Sequence, residues 1–407
     1  MSEILFLAHR VPWPPNRGDK IRSYNMLRQL QQFGPVHIAC FADDDEEAAL
    51  DATLERPLAS QNIVVRTKSQ WRAGLEALAT GQSISVTSFA SAQLQRAVDQ
   101  LVKQRPISCI FIFSGQMAQF IPAGYKGRVV MDFADVDSAK FESYAANCSL
   151  PMSWINAREG QLLSQFEKSV AQRADYSLFV SDAEAELFRQ RSGFGSDRIL
   201  AVGNGIDLDF YNPDIVPPLD RIFDGPLIVF TGQMDYRPNV EAVTSFSQDV
   251  MPAILQQYPN ARFAIVGRAP TAAVRQLEST NGTFVTGAVD DVRQWLSTAD
   301  VVVAPLRIAR GIQNKVLEAM AMKKPVVVST AAAEGIAAQN GEHFLIATNA
   351  AHEAALVNHL LKDTAEAISL GLRAGQLMRA EYSWDQQLSG LSHICGFSRD
   401  KVHEVAA

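Results

Sequence analysis

Thirteen short runs of Val, Ile, Leu and Phe recur along the chain, each followed by a longer segment of helical period. Strands that are apolar on both faces, alternating with helices, are the mark of βαβ units around parallel sheets covered on both sides. The first half supplies ILFLA, VHIACF, NIVVR, CIFIF, RVVMDF, YSLFV and ILAV; the second begins again with PLIVFTG, RFAIVG, TFVTG, DVVVAP, PVVVS and HFLIA. Between the halves, residues 204–226 read NGIDLDFYNPDIVPPLDRIFDGP, with four prolines, which marks a linker. The pattern therefore predicts an α/β protein of two doubly wound, Rossmann-like domains, over 1–210 and 220–382. In the tail, Trp384, Leu388, Leu391 and Ile394 fall at helical spacing, so a helix over 383–400 is expected to pack back on the N-terminal domain. Ligands of open α/β sheets sit beyond the C-terminal strand ends, which puts the expected site at a cleft between the two domains.

Charge and cysteine content narrow the function. Lys and Arg number 37 against 44 Asp and Glu, a net charge of −7 that disfavours nucleic acid. No apolar run has the ~18 residues of a membrane span, and the N-terminus has no signal-peptide pattern, so a cytoplasmic protein is expected. Cys40, Cys109, Cys148 and Cys395 lie far apart with no C-x-x-C, and the seven histidines show no ligand spacing, so no metal site is expected.

The segment RIARGIQNKVLEAMAMKKPVVVS, residues 307–329, is the richest in chemistry. A strand ends near Pro305, a helix begins near Gln313, and Arg310 and Gly311 precede that helix, where backbone N–H groups and the positive dipole end favour a phosphate. Arg310 and Lys315 add full charges for a leaving diphosphate, and Glu318, one turn beyond Lys315, can accept hydrogen bonds from ribose hydroxyls. From the residues alone, Lys315 and Glu318 can equally be an i,i+3 ion pair on an ordinary helix.

NKVLEAMAMKKPVVVS resembles the signature of retaining GT-B glycosyltransferases of family four, whose donor helix usually reads KxLEAMAxGxPVV. VGNGIDLDFYNP, IVFTGQMDYRPN, FAIVGRAP, VTGAVDDVRQWLSTADVVVAPL and the final YSWDQQ extend the likeness over nearly the whole chain. PWPPNRGDKIRSYNMLRQL, DFADVDSAKFESY and TGQMDYRPNVEAV resemble, more narrowly, the sugar transferases associated with exosortase (PEP-CTERM) gene clusters. The resemblance implies a GT-B fold with an N-terminal acceptor-side domain and a C-terminal donor domain. It implies transfer of a sugar, with retention, from a UDP- or GDP-linked donor to an exopolysaccharide or lipid-linked glycan precursor, without a metal cofactor. It places Arg17, Gly18 and Asp19 in a loop near donor phosphate and acceptor. It places Gly232, Gln233, Gly267 and Arg268 in the loops after the first two donor-domain strands, and Gly287, Ala288 and Val289 against the nucleobase. Lys315 and Arg310 then carry the diphosphate charge, and Gly311 and Glu318 complete the donor site.

Several positions depart from that family pattern. Arg310 stands where the first glutamate of Glu-x7-Glu is usual, and Gln233 and Pro238 replace the Arg and Lys of the first donor loop, leaving Arg237, Arg268, Arg310 and Lys315 as phosphate cations. No histidine follows the strand ending in DFADVD, so Asp132, Asp135 or Asp137 must take its place or the role is absent. DVD at 135–137 is one of three D-x-D matches and too unspecific to imply a cation. His9 ends the first strand and is an acceptor-site candidate, with a satisfied loop histidine as the alternative. Trp71 and Arg72, with Lys103 and Arg105, can form a basic apolar patch for peripheral contact with the inner membrane face, or an ordinary surface helix. Three functions remain open: a glycosyltransferase, a nucleotide-sugar epimerase or phosphorylase on the same fold, and a non-catalytic nucleotide-sugar binding protein.

Overall fold

The computed structural model describes residues 2–15, 17–52, 54–146, 148–220, 224–309 and 312–397. All thirteen apolar runs are strands, in two wholly parallel sheets. The first contains β1 (Glu3–Ala8), β2 (Val36–Ala42), β3 (Ser60–Val65), β4 (Ile107–Phe113), β5 (Arg128–Ala134), β6 (Tyr176–Phe179) and β7 (Ile199–Ala201), in the order β3-β2-β1-β4-β5-β6-β7. The second contains β8 (Leu227–Thr231), β9 (Arg262–Val266), β10 (Thr283–Gly287), β11 (Val301–Ala304), β12 (Val326–Ser329) and β13 (Leu345–Ala347), in the order β10-β9-β8-β11-β12-β13. Every residue of β1, β2 and β8 is buried, the result of helices covering both faces of a parallel sheet. Local chemistry starts several covering helices. Ser69, Ser91 and Ser181 accept the N–H of Arg72, Leu94 and Glu184, satisfying donors that a first turn leaves open.

The chain divides into two compact units. One comprises Met1–Asn204 with the segment from Gln387 onward, and the other Gly205–Gln386. In each sheet the strand order reverses beside the first strand of the unit, between β1 and β4 and between β8 and β11. The loops at the C-terminal ends of those four strands are therefore where a doubly wound sheet presents ligand sites.

The tail is not the single helix its spacing suggests. It forms two short turns, Trp384–Gln387 and Leu391–Ile394, broken near Gly390. Leu388, Leu391 and Ile394 are nonetheless buried. In the N-terminal unit the Arg128 guanidinium donates to the Ile394 carbonyl at 3.2 Å, and Phe397 stacks on Phe33 at 5.8 Å. Among the described residues no helix is long and apolar enough to cross a membrane.

Candidate functional site

The C-terminal unit assembles its site from β8, the loops after β8 and β9, and the helix Asn314–Ala321. That helix buries Val316, Leu317, Ala319 and Met320 against the sheet, which turns Lys315 and Glu318 away from the core. Lys315 Nζ donates to Asn239 Oδ1 at 2.5 Å and stands 4.2 Å from the centre of the Phe230 ring. Burial pulls the Lys315 ammonium down to about 8, with the Glu318 charge opposing. Burial likewise pushes the Glu318 carboxyl above its ordinary range, opposed by a hydrogen bond from the Tyr211 hydroxyl and by Lys315. The Tyr211 phenol is itself raised by burial and by the Glu318 charge. Lys315 and Glu318 are thus half-buried groups in separate polar settings.

Two glycines make this packing possible. A Cβ on Gly232 would lie 2.8 Å from Asn239 Nδ2 and 3.0 Å from Lys315 Nζ. Gly267, at φ +151°, brings the second loop so close that a Cβ there would lie 1.7 Å from the Gly232 carbonyl oxygen. Backbone bonds tie the three loops together: Gly232 N–H to the Val266 carbonyl, Met234 N–H to that of Arg268, and Gly267 N–H to that of Gly287. Arg268 is exposed and donates to Gln233 Oε1 at 3.1 Å, and Val289 packs partly buried against the core of this unit. Arg237, by contrast, is drawn onto Glu241 at 2.7 Å along an exposed helix face. Arg310 and Gly311 lie outside the described residues.

In the N-terminal unit, Asp19 in the first turn of the helix Gly18–Leu30 gathers three side chains: His9 at 3.3 Å, Arg10 at 2.8 Å and Arg17 at 3.1 Å. Chiefly the His9 contact holds its carboxyl far below the usual range. Arg17 is therefore engaged by its own loop, and Gly18 has open space where a Cβ would stand. The His9 ring lies 5.6 Å from Phe113, and its Nδ1 is buried without a hydrogen-bond partner. Ser114 and Ala134, at the ends of β4 and β5, hold positive φ of 77° and 64°, a strained backbone at this same sheet edge.

The catalytic role expected of Asp132 does not fit its setting. Asp132 is wholly buried, and both its oxygens are taken by Arg22, at 2.9 and 3.0 Å. Arg22 also donates to the Val202 carbonyl and Asn204 Oδ1, so the pair braces β5 against the end of β7 and cannot meet a substrate. Asp135 and Asp137 both pair with Lys140, at 2.7 and 3.3 Å. Among the described residues no three His, Cys, Asp or Glu side chains stand together as metal ligands.

Asn239, Phe230 and Tyr211 escaped the sequence reading. Asn239 sits in the first turn of the helix Arg237–Ser245, where Pro238 marks the helix start but nothing points to a lysine 76 residues on.

Residues 225–363 match the family model described as glycosyl transferases group 1. The fold is GT-B. Sucrose-phosphate synthase from Thermosynechococcus elongatus superposes with a TM-score of 0.63 at 15% identity, each chain covered in full. HepE from Anabaena, in complex with UDP, gives 0.62 at 15% identity over 97% of this chain and 99% of that one. In sequence the chain is 28% identical over 224 residues to a phosphatidyl-myo-inositol mannosyltransferase of Propionibacterium freudenreichii subsp. shermanii. That alignment takes in 52% of this chain, which spans about half (53%) of that relative's length. Residues 225–363 contain Lys315, Glu318, Asn239 and the loops of Gly232, Gly267 and Gly287.

Proposed function

We propose that the protein transfers a sugar, with retention of configuration, from a UDP- or GDP-linked donor to an exopolysaccharide or lipid-linked glycan precursor. The observation that carries this reading is the Lys315 ammonium, held against Asn239 and Phe230 at the ligand edge of the second sheet, one turn from Glu318. Breaking the glycosidic bond leaves an oxocarbenium-like sugar and a departing nucleoside diphosphate, so the charge needing help is on the phosphates. A cation pre-placed in a poorly solvated site stabilises that charge as it grows, with little reorganisation. Glu318 is suited to ribose hydroxyls, a contact felt almost equally before and during reaction. Lys315, Arg268 and Arg310 are assigned the phosphates, and Gly287 and Val289 the base.

Radiolabelled UDP-, GDP- and ADP-sugars offered with a polyprenyl-phosphate-linked glycan test the proposal. Labelled lipid-linked product from a UDP- or GDP-sugar is expected, unchanged by EDTA because cationic side chains serve the diphosphate. Nucleotide binding without transfer would make this a binding protein, and magnesium-dependent turnover would reopen Asp135 and Asp137 as a metal site.

Cytoplasmic residence with peripheral membrane contact belongs to the same reading. Trp71, Leu75 and Leu78 are 87%, 68% and 62% exposed at i, i+4 and i+7 of the helix Gln70–Thr80, with Arg72 beside them. Leu150, Met152 and Trp154 are also exposed, and Arg158, one turn beyond Trp154, donates to the Ala77 carbonyl. An apolar stripe with indole rings and a basic neighbour suits a lipid interface. Arg105 belongs elsewhere, paired with Glu3 at 2.6 Å. Co-sedimentation with phosphatidylglycerol vesicles should weaken severalfold in the Trp71→Ala, Leu75→Ala double variant; equal pelleting would refute membrane contact through this helix.

A further inference from the structure

We infer that Asn239 is the positioning residue of the donor site: it fixes the Lys315 ammonium for the diphosphate while leaving the lysine its full charge. The inference rests on reading the C-terminal unit as a nucleotide-sugar site, and it assigns Asn239 a role that site needs.

Asn239 is 5% exposed, and its amide can face only one way. Nδ2 donates to the Gln233 carbonyl at 2.9 Å, and Oδ1 accepts from Lys315 Nζ at 2.5 Å. Turning the amide over would set NH2 against an ammonium and oxygen against a carbonyl, two repulsions in place of two bonds. Asn239 is itself anchored, its N–H bonding the Tyr236 carbonyl at 2.9 Å. The ammonium is held from a second side by Phe230, at 4.2 Å from the ring centre. A lysine has three rotatable N–H donors on a flexible stem, and these two contacts remove most of that freedom.

Both holders are neutral. An aspartate in place of Asn239 would grip the ammonium harder but cancel its charge, and a neutralised lysine has little left for a diphosphate. An amide oxygen and a ring face orient the cation without neutralising it. Gly232 completes the arrangement, since any side chain there would displace both partners. The charged group of the described residues that acts on Lys315 is Glu318, on its own helix; Asn239 and Phe230, from neighbouring elements, do not titrate.

The test uses the full-length protein, its Asn239→Asp and Asn239→Ala variants, and Asn239→Ala made in a Lys315→Met background. UDP and GDP affinities are measured by calorimetry. The pH midpoint of Lys315 acetylation by acetic anhydride is read by mass spectrometry, and melting curves establish that each variant is folded. In Asn239→Asp the Lys315 midpoint should rise by a unit or more, and nucleotide affinity should fall at least tenfold. Asn239→Ala should lose affinity about fivefold with the lysine present and less than twofold in the Lys315→Met background, because Asn239 acts through the ammonium. If the parent binds UDP or GDP and folded variants bind it equally, with an unmoved Lys315 midpoint, the inference is overturned while the nucleotide-sugar reading stands. If the parent binds neither nucleotide, the reading itself fails and takes the inference with it.

Discussion

Replacing Gly267 with alanine puts a methyl group into the tightest backbone approach of the candidate site. The new Cβ would stand 1.7 Å from the Gly232 carbonyl oxygen, where ordinary contact begins at 3.4 Å, so the two loops must part by about 1.7 Å. Neither atom is the end of a flexible side chain, so the movement falls on backbone. Gly232 N–H to Val266 at 3.0 Å and Met234 N–H to Arg268 at 2.9 Å cross this seam, and Gly267 N–H to Gly287 at 3.1 Å ties the second loop to the third. Losing two of them costs ~1 kcal/mol each. Holding alanine at φ +151° adds ~1 to 3 kcal/mol. The variant should therefore lose about 4 kcal/mol, which for a unit of this size is ~8 to 16 °C of melting temperature. Scanning calorimetry of the full chain, with and without UDP, reads both consequences. The C-terminal unit should melt earlier, and the upward shift given by UDP should shrink because Gly232 adjoins Lys315. A fall below ~3 °C with an undiminished UDP shift would refute the reasoning, since the seam would then open at negligible cost.

Lys315→Ala should lower turnover by roughly 10² to 10³, because it removes a cation from charge that grows in the transition state, whereas Glu318→Ala should raise donor KM more than it lowers kcat. Steady-state kinetics with the accepted donor decides between these and a merely structural helix. Asp132→Ala should cost ~3 to 5 kcal/mol in urea unfolding, since it strands the buried Arg22 guanidinium. Burial pushes the Glu353 carboxyl up to about 8, and its Oε1 has no partner. The folded state therefore holds this proton more tightly than the unfolded one, and the stability so gained is complete near pH 4 and lost as pH rises towards 8. Glu353→Gln should match the parent near pH 4 and exceed it by ~2 to 4 kcal/mol at pH 8.5, and equal melting at both pH values would exclude an uncompensated buried carboxyl.

The strands were legible because a parallel sheet buries both faces of each one. Runs such as LIVFT at 227–231 announce burial without reference to any partner. The helix Asn314–Ala321 was legible for a related reason. Its apolar spacing shows which side meets the core, and that leaves Lys315 and Glu318 on the other. Pairings between distant segments left no such trace. Arg22 and Asp132 are 110 residues apart, and periodicity shows each only as a polar residue in an apolar stretch. An acid at a strand end, such as Asp132, looks the same in sequence whether it faces a ligand or a buried guanidinium. The tail reads as one helix for a similar reason: spacing records which residues are buried but not that the backbone breaks near Gly390.

Two positions where the loop after β8 departs from the family pattern it resembles have related structural roles. Gln233 and Pro238 stand where the resembled family usually has an arginine and a lysine, a difference of two cations. Yet Gln233 accepts Arg268 on its side chain and Asn239 on its backbone carbonyl, and Pro238 opens the helix whose next residue, Asn239, holds Lys315. Both positions support cations that arrive from other segments, Gln233 directly and Pro238 through the helix that presents Asn239. The sequence names these cations but not what holds them, because Gln233 and Asn239 lie 35 and 76 positions away from Arg268 and Lys315.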